Sequence, residues 1–578
     1  MANIYDKSSL VLIPSGTKTS KIFSQKPTNG DGDFTFSRST AATRVNASGN
    51  IEKETENLLL HSNSFSNTWT NASSTETSGQ AGYDGTNNAW LLTSSLSGGR
   101  ISQSVSVSGV QTFSVYLKAG SRNWGLLVST GTSAYFDLNN GVVGSGGTAP
   151  IDANIESVGG GWYRCSISAN GSNAEVRIYP ALADNDVSGT GSIYMQDAQL
   201  EQGLVARDYI ETTTTAIYGG ITDNVPRLDY TDSSCPALLL EPQRTNTDPN
   251  GEYLANRPIV VNVSTTTNSI DSPEGVTNAT LITNNTTSGQ HQLTDNTFSV
   301  TSGTDYTISL FLKYRDAQYV RLQFGGTPFG STNWQNFDVL NGTKGSKGGG
   351  ISTADSSIED YGNGWYRCSL TADATATGSN GAFQIRILEN DNTSDIPSFA
   401  GSGLSTYAWG AQFEQGSYAT SYIPTYGSSV SRVADYSVRS DMQDYVSADE
   451  GTWFMHFKDL FFDITGTGQG SINLVYTSGN QIEFIQRGNL QYKIAINNST
   501  AVDYLDGEDK VAIAWSTSGL AIYINGESKY TNSSSVYANP YSVFELTRVD
   551  RRPRVDMKQI LFFKTRLSNQ ELAALTTI

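Results

Sequence analysis

The sequence predicts an all-β, multidomain protein in which one antiparallel β-sandwich module is used twice. The heptapeptides Gly161–Ile167 (GWYRCSI) and Gly364–Leu370 (GWYRCSL) are nearly identical and start 203 positions apart, a spacing that suits duplicated domains and is too wide for a solenoid. The shared blocks alternate with period two, as strands with one buried face do. Composition agrees: 56 Gly, 10% aromatics and few helix-type runs in 578 residues suit a turn-rich chain of several β domains.

The duplication runs through both copies in one order. Phe113–Lys118 matches Ile308–Lys313, Phe136–Asp137 matches Phe337–Asp338, and Ala198–Gly203 (AQLEQG) matches Ala411–Gly416 (AQFEQG). The offset grows from 195 to 213 along the chain, so the second copy carries small insertions, which belong in surface loops. Phe113, Val115 and Leu117 share one face of a strand, as do Ile308, Leu310 and Leu312. In the first heptapeptide Tyr163, Cys165 and Ile167 fall on one face, and Trp162, Arg164 and Ser166 on the other.

Taken in order, residues 1–56 form short β-type runs broken by Pro14, Gly16, Pro27 and the turn cluster Asn29–Asp33. Asp31 and Asp33 lack the ligand spacing of a calcium loop and read as a turn. The apolar run Leu10–Ile13 is too short for a membrane span and no small-residue cleavage pattern follows it, so no secretory signal is expected. Module one covers residues 57–217, a connector 218–237 and module two 238–435. From 436 to 578 the pattern changes. Thr452–Phe457, Ile482–Ile485, Val511–Trp515 and Leu520–Gly526 read as strands, the last closing on the Asn525-Gly526 hairpin signal.

Several blocks resemble known families. Ser9–Ser15, Lys26–Arg38, Ala42–Asn46 and Gly49–Glu52 resemble the N-terminal region of fibre proteins of tailed bacteriophages, crAss-like phages among them, and the connector stretches Asp223–Tyr230 and Cys235–Asn246 are similar to the same group. Asn57–Phe65 with Trp69, together with the strands at Tyr116–Lys118 and Gly161–Tyr163, resembles jelly-roll carbohydrate-binding modules. The C-terminal strands with Leu567–Leu572 resemble a concanavalin/laminin-G-like sandwich. These resemblances imply two jelly rolls, a concanavalin-like domain, and a small virion-anchoring unit formed by residues 1–56 packed with the connector. Module one would then be inserted between two halves of that unit, with residues 34–56 close to 225–242. They also imply a head or tail fibre or capsid decoration protein, made in the bacterial cytoplasm and resident in the virion. Its expected partners are other virion proteins and cell-surface or mucosal glycans, and a homo-oligomer such as a trimer is expected.

The formal charge is −18 with 16% charged residues, which offers no basic surface for nucleic acid or anionic membrane. Cys165 and Cys368 occupy equivalent strand positions and read as core thiols, not disulfide partners. The three histidines, His61, His291 and His456, fall in separate modules without metal-ligand or triad spacing. No catalytic residue, metal or cofactor is therefore expected, and the chain reads as a non-enzyme. Glu201 and Glu414 recur at strand ends and read as structural hydrogen-bonding groups. Sugar rings stack on aromatic faces. Trp162 and Trp365 read as sheet-face or core residues, whereas Trp124 and Tyr319, equivalent at offset 195 after a polar segment, are the candidate ligand platforms. Two alternatives stay open: a polysaccharide depolymerase, which would need two carboxylates facing across a deep groove, and an inert spacer.

Overall fold

The computed structural model describes residues 4–172, 175–231, 233–351, 355–447, 449–462, 471–477, 480–487, 491–496, 499–503, 508–533, 541–546 and 553–577. They are nearly all β. The α-helices among them are the single turn Ile4–Lys7 and Asn569–Thr577, and no helix among them is long and apolar enough to cross a membrane.

Each repeated module is a sandwich of two six-stranded antiparallel sheets. The first sheet of module one runs Asp152–Gly159, Trp162–Ser172, Ser108–Ala119, Gly191–Gln202, Ala89–Ser94, Ser74–Gln80. In module two the same order is Ser356–Asp360, Trp365–Asp373, Asp305–Tyr314, Ser405–Gln415, Ala279–Asn284, Val263–Ile270. The second sheets also correspond strand for strand. The heptapeptides thus occupy equivalent strands in equivalent register, with Val115 opposite Cys165 and Leu310 opposite Cys368. A bulge recurs too, between Ser114 and Tyr116 and between Ser309 and Phe311. Tyr163 and Tyr366 each lie against a positive-φ glycine, Gly141 or Gly342, where an added Cβ would come within 2.6 or 2.5 Å of the ring.

Alternation places the expected residues in the cores. Phe113, Val115, Leu117, Cys165 and Ile167 are buried together, as are Ile308, Leu310, Leu312, Cys368 and Leu370; each large apolar side chain so buried contributes about 1.5–3 kcal/mol. Burial pushes both thiols up. Glu201 and Glu414 do repeated structural work. Glu201 accepts from Gln199 Nε2 at 2.7 Å and Arg207 N at 2.9 Å, and Glu414 from Gln412 Nε2 at 2.7 Å and Thr420 N at 2.8 Å.

The N-terminal region differs from the expected small anchoring unit. Leu10–Leu12 and the connector strand Ala237–Leu240 both pair with Pro553–Phe563, and Arg227–Asp229 extends that sheet. Thr17–Lys18, Lys21–Ile22, Phe34–Ser37 and Tyr436–Ser440 join the opposing sheet beside Val543–Glu545 and Ser471–Thr477. Leu10, Leu12, Ile22, Phe34, Phe36, Leu238 and Leu240 are buried in one core with Trp453, Phe544 and Phe562. Apolar strands this short cannot bury their faces alone; the C-terminal sandwich completes them. Modules one and two are therefore both insertions into this sandwich. Module two begins after residue 240, at Arg244–Asn246, which pairs with Val430–Arg432. Residues 34–56 and 225–242 do meet: Tyr230 N donates to Val45 O at 3.1 Å and Arg227 Nη1 to Thr43 O at 3.2 Å. The Asn525-Gly526 turn joins Gly519–Ile524 to Glu527–Asn532, with φ of 49° and 86°, as a type I′ turn requires. His61 and Asp31 sit in turns, and among the described residues no group of three or more His, Cys, Asp or Glu is placed to hold a metal.

Candidate functional site

In module one, the solvent-side face of the sheet carrying the heptapeptide presents an aromatic cluster. Register sets Lys118 between Trp162 and Tyr194, and Tyr116 between Arg164 and Gln196. The loop after Ser74–Gln80 folds back so that Tyr83 stacks on Tyr116, with centroids 4.0 Å apart at 12°, and meets Trp162 edge-on at 6.3 Å. Tyr194 lies 6.5 Å from Trp162, and the Arg164 guanidinium sits 5.5 Å from the Tyr116 centroid. Trp162 is buried, while Tyr83 and Tyr194 are half-exposed beside exposed Asp84 and Asn88.

Polar groups hold this arrangement. Tyr83 OH donates to Asp197 at 2.9 Å, Tyr83 N to Gln196 Oε1 at 3.2 Å, and Gln196 Nε2 to Asn88 Oδ1 at 2.8 Å. Burial, with Asp84 and Glu211, pushes Asp197 up to about 6 despite the Tyr83 hydrogen bond. Burial next to that carboxylate also drives the Tyr83 phenol upward. The outcome is a rigid, amphipathic surface of ring faces edged by amide, carboxylate and ammonium groups, the combination that packs against sugar C–H faces and hydroxyls.

The equivalent face of module two is closed by the chain itself. Phe311, Trp365, Trp409 and Tyr422 pack there with Val45 and Ile51 of the hairpin Arg44–Val45/Ile51–Glu52. Val45 N donates to Asp229 at 2.8 Å and Thr43 Oγ1 to Tyr422 O at 2.6 Å, fixing the hairpin over the rings. Two copies of one face therefore have two fates, one self-filled and one open.

Trp124 and Tyr319 lie at equivalent places on the other sheet, opposite Asp137 and Asp338. Both are half-buried. Trp124 packs with Leu126, Tyr135 and Tyr179, and Tyr319 is pushed up by burial, then by Asp338 and Asp391. They are on the opposite sheet from the Tyr83/Tyr194 cluster, so the structure brings neither into it. Sequence reasoning missed Tyr83 and Tyr194 although both lie in corresponding segments of the two modules: the loop Gly82-Tyr83-Asp84-Gly85 corresponds to Ser272-Pro273-Glu274-Gly275, and Tyr194 to Tyr407. The available signal was the ring at Tyr83 where module two has Pro273.

No protein-family model and no curated protein matches this chain. Among solved structures it is similar to the tandem CBM22 domains of Paenibacillus barcinonensis Xyn10C at 12% identity, covering 62% of this chain and 97% of that one, with a TM-score of 0.19. It is also similar to the binding domain of Paraclostridial Mosquitocidal Protein 1 at 13% identity (25% of this chain, 43% of that one, TM-score 0.13). A third similarity is to Trypanosoma rangeli sialidase at 10% identity (93% and 97%, TM-score 0.20). No ligand or activity carries across at these scores; the sandwich architecture rests on the sheet order itself.

Proposed function

We propose that this chain is a non-enzymatic glycan-binding protein of a bacteriophage virion, a head or tail fibre or capsid decoration protein that displays module one to cell-surface or mucosal polysaccharide. The open aromatic face of module one carries the glycan-binding part, because the duplicated face in module two is filled by the Val45/Ile51 hairpin while Tyr83 and Tyr194 stay accessible. The virion part is supported by the phage-fibre resemblance of the N-terminal and connector stretches. Residence in the particle and self-association, for instance as a trimer, give weak single sites their avidity.

Affinity electrophoresis of the full chain through host-surface polysaccharide tests the first part. Tyr83→Ala with Tyr194→Ala is expected to lose retention about 10-fold, as one or two stacking contacts imply, with a lower unfolding midpoint, because Asp197 loses its donor, but with an unchanged circular dichroism spectrum at the assay temperature. Retention that survives this variant but falls in Trp124→Ala with Tyr319→Ala would move the platform to the other sheet. Immunogold labelling of purified particles tests the second part, and an unlabelled particle removes the virion reading.

A further inference from the structure

A cavity of about 1160 Å³ lies where module two, the Thr43–Ile51 hairpin, the connector and the C-terminal sandwich meet. It is remote from the Tyr83/Tyr194 face, shares no residue with it, and is built by elements that only the insertion topology brings together. Val555 and Met557 of Pro553–Phe563 enter the core, so Arg554 and Asp556 on the alternate face turn to the cavity. Lys458 stands opposite Asp556, and the pairing then slips by a bulge at which Asp459 takes φ 52°. A non-glycine residue in that region costs free energy, and such bulges re-aim side chains where function needs them. Both Lys458 and Asp459 thereby line the chamber. Asp229 enters from the connector, and exposed Glu359 from module two connects the space to solvent.

The electrostatics of this chamber are unbalanced. Asp556 Oδ1 is shut from solvent and accepts no hydrogen bond among the described residues. Burial drives the Asp556 carboxyl up to about 8; Arg554 opposes this, and Asp229, Asp459 and Glu241 reinforce it. Burial would also raise Glu241, but Arg432, Arg227 and Arg554 outweigh it and hold it well below the usual range. A carboxyl kept protonated chiefly by burial, with neighbouring carboxylates adding to it, ionises when a cation arrives beside it. No trio of His, Cys, Asp or Glu among the described residues has metal-holding geometry, so the cation indicated is organic. The Tyr361 ring and the mutually hydrogen-bonded pair of Ser357 and Ser369 hydroxyls, 2.7 Å apart, on the same walls suit a hydroxylated ring.

We propose that this cavity binds an ammonium-bearing sugar, with the carboxylates of Asp556 and of Asp459, which exchanges its loose, part-exposed pair with Lys458 at 3.7 Å, receiving the ammonium group and the Tyr361 ring its apolar face. Binding moves the Asp556 proton to solvent as the ion pair forms, so charge balances without another reactant.

Titration calorimetry of the full chain at pH 6.5 with glucosamine trisaccharide tests this, run in two buffers of different ionisation enthalpy to count protons. Expected are binding with net proton release and an N-acetylated trisaccharide at least about 10-fold weaker, the scale of a charge-assisted hydrogen bond. Asp556→Asn should abolish the proton release, and Asp459→Asn, at a surface bulge where folding is not at stake, should weaken binding by a similar factor. Tyr83→Ala should leave it unchanged, which keeps this site separate from the module-one reading. Equal affinity for the acetylated sugar, equal affinity for spermidine, no binding at all, or undiminished binding by Asp459→Asn would each overturn the proposal.

Discussion

At the scale of single residues, the parts of this chain join through buried ions. Arg38, Arg227 and Arg432 surround Asp435 and Glu241, each at 0–1% exposure. Arg38 comes from the N-terminal region, Arg227 and Glu241 from the connector, and Arg432 and Asp435 from the end of module two. Arg227 donates to Glu241 at 2.7 Å, to Asp435, and to Ser421 Oγ at 2.8 Å. Buried pairs are close to neutral against an apolar replacement, yet removing one partner strands the other. Arg227→Ala should therefore cost about 3–5 kcal/mol, read as a lower unfolding midpoint of the full chain. Arg44→Ala, whose ion pair with Glu52 is partly exposed, should cost below about 1 kcal/mol. Equal effects of the two would mean that the buried network is not the junction.

At the scale of elements, the sequence revealed what repeats and concealed what is completed elsewhere. Cys165 and Cys368, Val115 and Leu310, and Glu201 and Glu414 took their places because alternation and duplication are local signals. The pairing of Leu10–Leu12 with Pro553–Phe563 spans nearly the whole chain, and no local period encodes a partner that distant. Tyr83 escaped for a different reason: its loop recurs in module two, but Pro273 stands in the place of Tyr83, so the repeat does not mark the ring. The junction between modules is equally non-local. Val110 N donates to Tyr426 O at 2.8 Å beside Gly109 (φ +88°), where an added Cβ would sit 1.3 Å from Tyr426 O. Gly109→Ala should force the modules apart, raising protease sensitivity near residues 219–226 and lowering the midpoint. Gly131→Ala is the control, since Gly131 also has positive φ (+80°) but meets nothing within 4 Å; it pays only the backbone strain of about 1–2 kcal/mol. If both variants behave alike, strain and not the junction explains the loss.

At the scale of the whole molecule, buried carboxyls set the response to pH. Burial is the leading cause for four that are raised: Asp556 to about 8, Glu201 and Glu56 to about 7, and Asp197 to about 6. Their unfolded counterparts titrate near 3.8 or 4.5, so between pH 8 and 4.5 the folded chain holds more protons and gains stability as pH falls. His456, lowered chiefly by burial, opposes this below about pH 6.5, a single imidazole against these carboxyls and Glu54, Asp248 and Glu252, which burial also raises. Glu274 reverses the trend further down. Burial would raise it, but Arg207 and Lys53 bring it to about 2, so the stability of that cluster is full above 4.5 and lost as pH falls from 4.5 toward 2. Lys53 joins Glu252 and Glu274 at 2.9 Å each, and Arg207 of module one reaches Glu274 at 2.6 Å, so the acid limb should also loosen the contact between modules. The expected profile of the unfolding midpoint therefore has its maximum near pH 4.5–5, several degrees above the value at pH 8. Asp556→Asn should flatten the alkaline limb, because an amide does not titrate. A midpoint that climbs steadily from pH 5 to pH 8 would show that the raised carboxyls do not control folding.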